Sequence, residues 1–232
     1  LDLIAYYFPE CEGINMDATV TSILHKSQEE LEMLARKKVK HLYLGIESGL
    51  DDVLKFMKKD HDLAQAYQAI DRLHEAGLIY DAHIMTGVAG KGRGMENAEA
   101  LAQFLNRTNP AHVVNFSMFL HKEVPLYQDI RQGTFVPADE LETIREEYHL
   151  IERIAPEKAG ANILYDGFHD FIHVRVRGHL PGDKEKMLAK LNGIVQEYEG
   201  KEPVYSFVQG ECPNLEYCDD GKAVWDMDRK TS

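Results

Sequence analysis

Apolar residues along the chain recur at two alternating spacings. Leu31, Leu34 and Ala35 share one helical face, and Ser27-Gln28-Glu29-Glu30 ahead of them has the form of a capping box, in which Ser27 and Glu30 satisfy each other's open backbone amides. A helix to about Lys38 is predicted there. His41 to Ile46 is an apolar run of strand length, closed by the polar turn Glu47-Ser48-Gly49. Leu63, Ala66, Tyr67, Ile70 and Leu73 then return to helical spacing, with Gly77 where a left-handed cap belongs. Ile79 to Met85 reads as the next strand, Ala98, Leu101, Ala102 and Leu105 as the next helix, and Asn109-Pro110 as its stop. The strand His112 to Met118 follows, then a helix from about Ala138 that buries Leu141, Ile144, Tyr148 and Ile151 and ends before Pro156. Strand and helix alternating in this way predict an α/β fold with parallel strands and crossover helices.

Beyond Ala155 the pattern changes. Phe171 to Arg177 alternates apolar with basic or polar residues, as a half-exposed strand does, and Asp183 to Tyr198 is an amphipathic helix with Met187, Leu191, Ile194 and Tyr198 inward. From Gly210 the chain is polar and acidic, and a packed or frayed tail is expected. The division predicted is 1–155 for the strand-helix repeats, 156–209 for a small α+β extension and 210–232 for the acidic tail. The chain opens on an apolar run, Leu1 to Phe8, without a Met, which suggests a piece of something longer.

Composition narrows the function classes. Among 232 residues, 26 Lys and Arg oppose 39 Asp and Glu, and the resulting charge of −13 argues against nucleic acid and anionic lipid as partners. No stretch approaches the roughly 18 apolar residues of a membrane span, and no signal peptide leads the chain, so the cytoplasm is the expected compartment. Cys11, Cys212 and Cys218 are too scattered for a disulfide framework or a zinc knuckle and read as free thiols.

Two segments could carry chemistry. The loop Gly87-Val88-Ala89-Gly90-Lys91-Gly92-Arg93-Gly94 could offer amides to a phosphate, but it matches neither the P-loop nor the dinucleotide fingerprint, and its glycines read first as a flexible strand-to-helix loop. Gly45-Ile46-Glu47-Ser48-Gly49 places a carboxylate and a hydroxyl at a strand's carboxyl end, where parallel sheets bind ligands; Glu47 or Ser48 could equally cap the next helix. Eleven histidines raise the question of a metal, but His169 and His173 would stand ~13 Å apart on a strand, and no metal-ligand motif occurs, so they read as surface or satisfied histidines and no metal site is assigned. There is no serine-hydrolase elbow, and Glu140, Glu142, Glu146, Glu147 and Glu152 read as a solvated helix face without an acid-base role.

Leu42-Tyr43-Leu44-Gly45-Ile46-Glu47-Ser48-Gly49, followed by Asp52-Val53-Leu54 and Met57-Lys58-Lys59, and then by Glu75-Ala76-Gly77-Leu78, resembles the middle of a radical S-adenosylmethionine enzyme. His83-Ile84-Met85-Thr86-Gly87-Val88-Ala89-Gly90 is similar to that superfamily's glycine-bearing segment along the adenine, and Val124-Pro125-Leu126-Tyr127 with Gly133 to the stretch after its sixth strand. The resemblance runs from about Gly13 to Ile154 and, more loosely, over Arg177 to Lys184. It implies a partial TIM-like (β/α) barrel binding S-adenosylmethionine beside a four-iron four-sulfur cluster, whose chemistry yields a 5′-deoxyadenosyl radical that abstracts hydrogen from a substrate. By the same resemblance, Glu47 and Ser48 would contact the ribose or the amino group. Thr86 and Gly87 would lie near adenine through their backbone, with Asn115 and Ser117 on the adenine side. Asp17 stands at the end of the family's third strand, where many relatives carry an Arg for the methionine carboxylate.

The cluster motif Cys-x-x-x-Cys-x-x-Cys occurs nowhere in the chain. The matching part therefore corresponds to the barrel from about its third strand onward, catalytic residues are not assigned, and the chain alone is expected to be inactive while its parent protein is an enzyme of unknown substrate. The alternatives are a non-catalytic acidic interaction module and a nucleotide-binding protein on the same half-barrel. A barrel cut in this way leaves an open edge and inward apolar residues such as Leu42, Leu44, Ile84 and Val114. These would be covered by Leu1 to Phe8 as a cap strand, by Phe171 to Arg177, or by self-association through the edge.

Overall fold

The computed structural model describes residues 1–207. The acidic tail, with Cys212 and Cys218, lies outside the described residues. Six strands form one sheet in the order of the chain: β1 (Ile14–Ala18), β2 (Val39–Glu47), β3 (Ile79–Thr86), β4 (His112–Ser117), β5 (Ile163–His169) and β6 (Val174–Leu180). The first five are parallel, and β6 returns antiparallel along β5. Helix α1 (Asp2–Tyr7) precedes the sheet, and α2 (Val20–Leu24) with α3 (Gln28–Arg36) joins β1 to β2. The next two crossovers are α4 (Asp51–Phe56) with α5 (Leu63–Glu75), then α6 (Gly94–Thr108). The last parallel crossover is α7 (Leu126–Gln132) with α8 (Glu140–Arg153), and α9 (Lys184–Tyr198) follows β6. Consecutive parallel strands with no reversal of order put the right-handed crossovers on one face, the arrangement of a (β/α) barrel rather than a doubly wound sheet. The fold is a partial TIM-like barrel.

The local signals act as their chemistry requires. In α3, Ser27 Oγ accepts from Glu30 N at 3.1 Å while Glu30 Oε2 accepts from Ser27 N at 2.7 Å. Past α5, Gly77 takes φ +73° and its amide donates to His74 O, while Leu78 N donates to Leu73 O, the Schellman closure. Burial gives the sheet two unlike faces. Leu42, Leu44 and Ile46 of β2, Tyr80, Ala82 and Ile84 of β3, Val113 of β4 and Ile163 and Tyr165 of β5 pack with Ile70, Leu73, Leu101, Leu105, Ile144 and Ile151 of the helices. Leu42, Leu44 and Ile84 are therefore not inward-facing residues of an open barrel; they are the helix-side core. The concave face instead carries Tyr43, His83, His112, Phe116 and Phe168, in ring contact across the strands, with Val114 among them.

Three further expectations are corrected. Leu1 to Phe8 forms no cap strand: residues 2–7 are helical, and Leu3, Tyr6, Tyr7 and Phe8 stand exposed. The strand predicted over Phe171 to Arg177 begins only at Val174, because a 3₁₀ turn over Asp170–Ile172 and a left-handed His173 intervene, so His169 and His173 do not share a strand. Strand β5 itself escaped the sequence reading, and its outer edge is covered by β6.

Candidate functional site

The carboxyl ends of β2, β3 and β4 bring most of the predicted residues together. Ser48 Oγ donates to Asn97 Oδ1 at 2.7 Å and accepts from Leu50 N at 3.1 Å, so it does turn the chain into α4. Asn97 Nδ2 donates to Glu146 Oε1 at 2.7 Å, and the other oxygen of Glu146 accepts from Gly87 N at 2.8 Å. Thr86 N donates to Asn115 Oδ1 at 3.1 Å, and Asn115 Nδ2 donates to Glu147 Oε1 at 3.0 Å. Ser117 Oγ donates to Glu140 at 3.0 Å. Ser48, Asn115 and Ser117 through their side chains, and Thr86 and Gly87 through their amides, thus belong to one buried network between the sheet and α8, while the Thr86 hydroxyl is buried without a partner among the described residues. Glu47 and Asp17 are not part of it.

The anchors of that network are the glutamates expected to face solvent. Glu140, Glu146 and Glu147 are each 1% exposed or less, whereas Glu152 is exposed. The helix does bury Ile144 and Ile151, but Leu141 and Tyr148 are only half-buried. Burying three carboxylates on one helix demands partners. His169, fully buried at the end of β5, supplies them: its Nδ1 lies 3.0 Å from Glu140 Oε2 and its Nε2 3.0 Å from Glu147 Oε2. Tyr165 donates to Glu147 at 2.9 Å, and Ser206 donates to Glu140. Residues 204–207 dock there as well, through Glu140 N to Val204 O and Leu120 N to Ser206 O.

Burial alone would strip the charge from His169, but Glu147 and Glu140 outweigh it and hold its pKa up to about 9. Burial likewise opposes the charge of Glu140, and the bond and charge of His169 win, lowering its pKa. Glu146 has no cation: burial, only partly offset by the Asn97 and Gly87 donors, pushes it up to about 8, so it is protonated at neutral pH.

Glu47 sits on the opposite face. It takes φ +62° where the register with β3 slips between Gly45 and Glu47, a bulge that re-aims the side chain. A Cβ on Gly45 would stand 2.7 Å from Glu47 Oε1, so the carboxylate folds back over the bare glycine on the concave side, where Lys59 Nζ pairs with it at 3.2 Å. Farther down the same face Asp81 Oδ2 and His41 Nδ1 lie 2.6 Å apart. Asp17, exposed on the open edge strand β1, lies in register with Tyr43.

The glycine loop is engaged by the protein itself. Gly87, Gly90 and Gly92 all have positive φ. Besides the Gly87 amide, those of Gly90, Lys91 and Arg93 donate to the carbonyls of Gly87, Val136 and Gly90, and that of Gly92 to the Glu142 carboxylate. This is a strand-to-helix turn rather than a phosphate cradle. Among the described residues no three His, Cys, Asp or Glu side chains converge to hold a metal, and no helix is long and apolar enough to cross a membrane.

Sequence reasoning missed Asn97, Glu140, Glu146, Glu147, Tyr165 and His169. The usable signal lay in α8, where Glu140, Ile144, Glu147 and Ile151 follow the 4-3-4 spacing of a single face.

Residues 3–105 match the sequence family described as the Radical SAM superfamily. Among curated proteins, a tRNA uridine(34) acetyltransferase from Methanocaldococcus infernus is 25% identical over 119 residues, which is 51% of this chain and 22% of that protein. Among solved structures, an archaeal Elp3 from the same organism, lacking residues 1–46, aligns with a TM-score of 0.54 at 21% identity over 63% of this chain and 34% of that one. The chain thus spans about a fifth of the curated relative and a third of the solved one. The similarity to the radical SAM superfamily thus spans residues 3–105, on a sheet that runs as a partial TIM-like barrel.

Proposed function

We propose that the chain is a portion of a radical SAM enzyme, that it binds S-adenosylmethionine across the carboxyl ends of β2 to β4, and that the parent enzyme uses it for hydrogen abstraction. One observation carries the reading: the Glu47 carboxylate is set on the open concave face by a strained backbone and a bare Gly45, while the neighbouring strand ends are held from behind by α8. A carboxylate there can accept from ribose hydroxyls or an ammonium group, and charge-assisted bonds of this kind are the strong ones. Ser48, through Asn97 and Glu146, and Asn115 act behind the sheet, positioning the backbone of residues 86 and 87, while Ser117 donates to Glu140. When bound, S-adenosylmethionine supplies the 5′-deoxyadenosyl group from which the superfamily draws its radical.

The cluster does not fit these residues. Cys11 is the cysteine among the described residues, it precedes β1, and its thiol donates to Gly13 O at 3.3 Å. The three thiolates of the superfamily motif would have to come from residues other than these 232.

Titrating S-adenosylmethionine into the labelled chain should shift the amides of residues 45–48 and 86–88. Glu47→Ala should weaken binding by ~1.5–3 kcal/mol, roughly 10- to 150-fold, the cost of one charge-assisted hydrogen bond. Unchanged affinity in a folded variant, or no response at those amides at millimolar ligand, would overturn the reading.

A further inference from the structure

Across the concave face, Phe116 on β4, Phe168 on β5 and Arg175 on β6 form one row, because Phe116 pairs with Phe168 and Phe168 with Arg175 in register. The two phenyl rings stack with centroids 5.6 Å apart and planes 17° apart, and the Arg175 guanidinium covers Phe168 from the other side at 4.7 Å. Arg175 is itself neutralised by two bonds to Asp166, at 2.8 and 2.6 Å. With both faces of Phe168 taken, the row turns ring edges toward the open space above it. At the carboxyl end of this row lies a cavity of about 230 Å³, lined by Phe116, Ser117, Phe119, Phe168, Asp170 and Phe171.

Three features define what that cavity would accept. Its volume of 230 Å³ exceeds the ~150 Å³ apolar cavity that takes up benzene, so one ring with a substituent fits. Phenyl edges carry the positive end of the ring quadrupole and attract the face of another aromatic ring, whereas a cation would meet those edges and Arg175. Asp170, in the 3₁₀ turn, is exposed, and its carboxylate has no hydrogen-bond or ion-pair partner among the described residues, its backbone carbonyl alone accepting from His173 N; the side chain can accept from an N–H group.

We propose that this cavity is a substrate subsite for a neutral planar aromatic ring bearing an N–H donor, the ring lying against Phe116, Phe168, Phe119 and Phe171 and the donor on Asp170. Its role as a substrate subsite rests on S-adenosylmethionine binding at Glu47: β4 is two strands from β2, so the ring would sit ~10 Å across the sheet from the Glu47 column.

Three neutral amides separate the contributions: benzamide has ring and donor, cyclohexanecarboxamide the donor without the aromatic ring, and N,N-dimethylbenzamide the ring without the donor. Titrated into the labelled chain and read by amide shifts, benzamide should perturb residues 116–119 and 168–172 and bind roughly 2- to 12-fold more tightly than either analogue. Phe168→Leu, which keeps an apolar side chain but removes the ring, should abolish the preference over cyclohexanecarboxamide. Asp170→Asn should reduce the preference over the dimethyl amide. Equal binding of benzamide and cyclohexanecarboxamide, or no response at those residues, overturns the proposal. Displacement of benzamide by S-adenosylmethionine would make the cavity the adenine seat and overturn the substrate assignment. A benzamide response without any S-adenosylmethionine response at residues 45–48 would instead overturn the cofactor reading while leaving the ring site standing.

Discussion

Replacing both partners of His169 with neutral isosteres, in Glu140→Gln/Glu147→Gln, should flatten the alkaline limb of the stability profile. In the native chain the imidazolium is held between two buried carboxylates 3.0 Å away on either side, and its proton is kept up to about 9 against an ordinary 6.5. That difference is worth ~3 kcal/mol. The folded chain binds a proton that the unfolded chain has already released above pH 6.5, so this stabilisation is fully present below pH 6.5 and is lost as the pH rises through about 9. In the double variant, burial lowers the imidazole pKa unopposed by charge, and the two amides can satisfy a neutral ring, one donating and one accepting. Urea unfolding followed by circular dichroism at pH 6.5 and 9.5 is the assay. The native chain should lose ~3 kcal/mol more than the double variant over that interval through His169. Glu147→Gln alone should show part of the effect. Parallel profiles for native and double variant would mean that His169 is neutral and that the network is held by hydrogen bonds alone.

Three other outcomes follow from the same geometry. Gly167→Ala should destabilise by ~1–3 kcal/mol in thermal unfolding, because an oxygen of Glu147 occupies the place of a Cβ there, and shortening Glu147 to Asp should relieve the clash. Infrared spectra should contain a protonated-carboxyl band at neutral pH that titrates near about 8 and is absent in Glu146→Gln; correspondingly, burial of Glu146 should erode stability as the pH rises from 4.5 to about 8. We propose that the chain self-associates, since the outer edge of β1 has no partner strand among the described residues and Leu3, Tyr6, Tyr7 and Phe8 are exposed beside it; light scattering on dilution should reveal a dimer or larger species, and a monodisperse monomer would refute this.

The elements and their order were legible because each signal is local. Capping boxes, a glycine at a left-handed cap and runs of apolar residues act within a few residues of themselves, and α3, α5, α6 and the strands from His41 to Met118 fall where those signals put them. Strand β5 was not legible, because Ile163-Leu164-Tyr165-Asp166-Gly167-Phe168-His169 mixes a charge, a glycine and a histidine into a strand that is buried on its helix side and partly buried on the other. Its polar residues are explained only by partners far along the chain: Asp166 by Arg175, Gly167 by the approach of Glu147, and His169 by α8. The glutamates of α8 failed for a related reason. Ile144 and Ile151 fit two neighbouring faces, one completed by Leu141 and Tyr148 and the other by Glu140 and Glu147, and hydrophobicity chooses the first. The choice falls to the second because a cation on another element waits for the carboxylates, and periodicity within α8 carries no record of it.

The pleat accounts for the largest revision to the site. Glu47 and Ser48 are adjacent and were read as one ligand-holding pair, but successive side chains of a strand point to opposite faces. In the run His41-Leu42-Tyr43-Leu44-Gly45-Ile46 the aliphatic set faces the helices, while the histidine, tyrosine and glycine face the concavity. Continued past the strand, Ser48 falls with the aliphatic set, and Glu47 with Gly45. A hydroxyl on the helix side has Asn97 and the turn into α4 to satisfy, so it holds the backbone in place. A carboxylate on the concave side has only Lys59 among the described residues, so it remains available to a ligand. The left-handed backbone at Glu47 is what makes both roles compatible, since the bulge lets the chain turn toward α4 at Ser48 without drawing the carboxylate out of the concavity. Glu47→Gly would relax that conformation and remove the carboxylate together, whereas Glu47→Gln keeps the strain and removes only the charge; if strain placed the group for binding, Gln should retain part of the affinity that Gly loses.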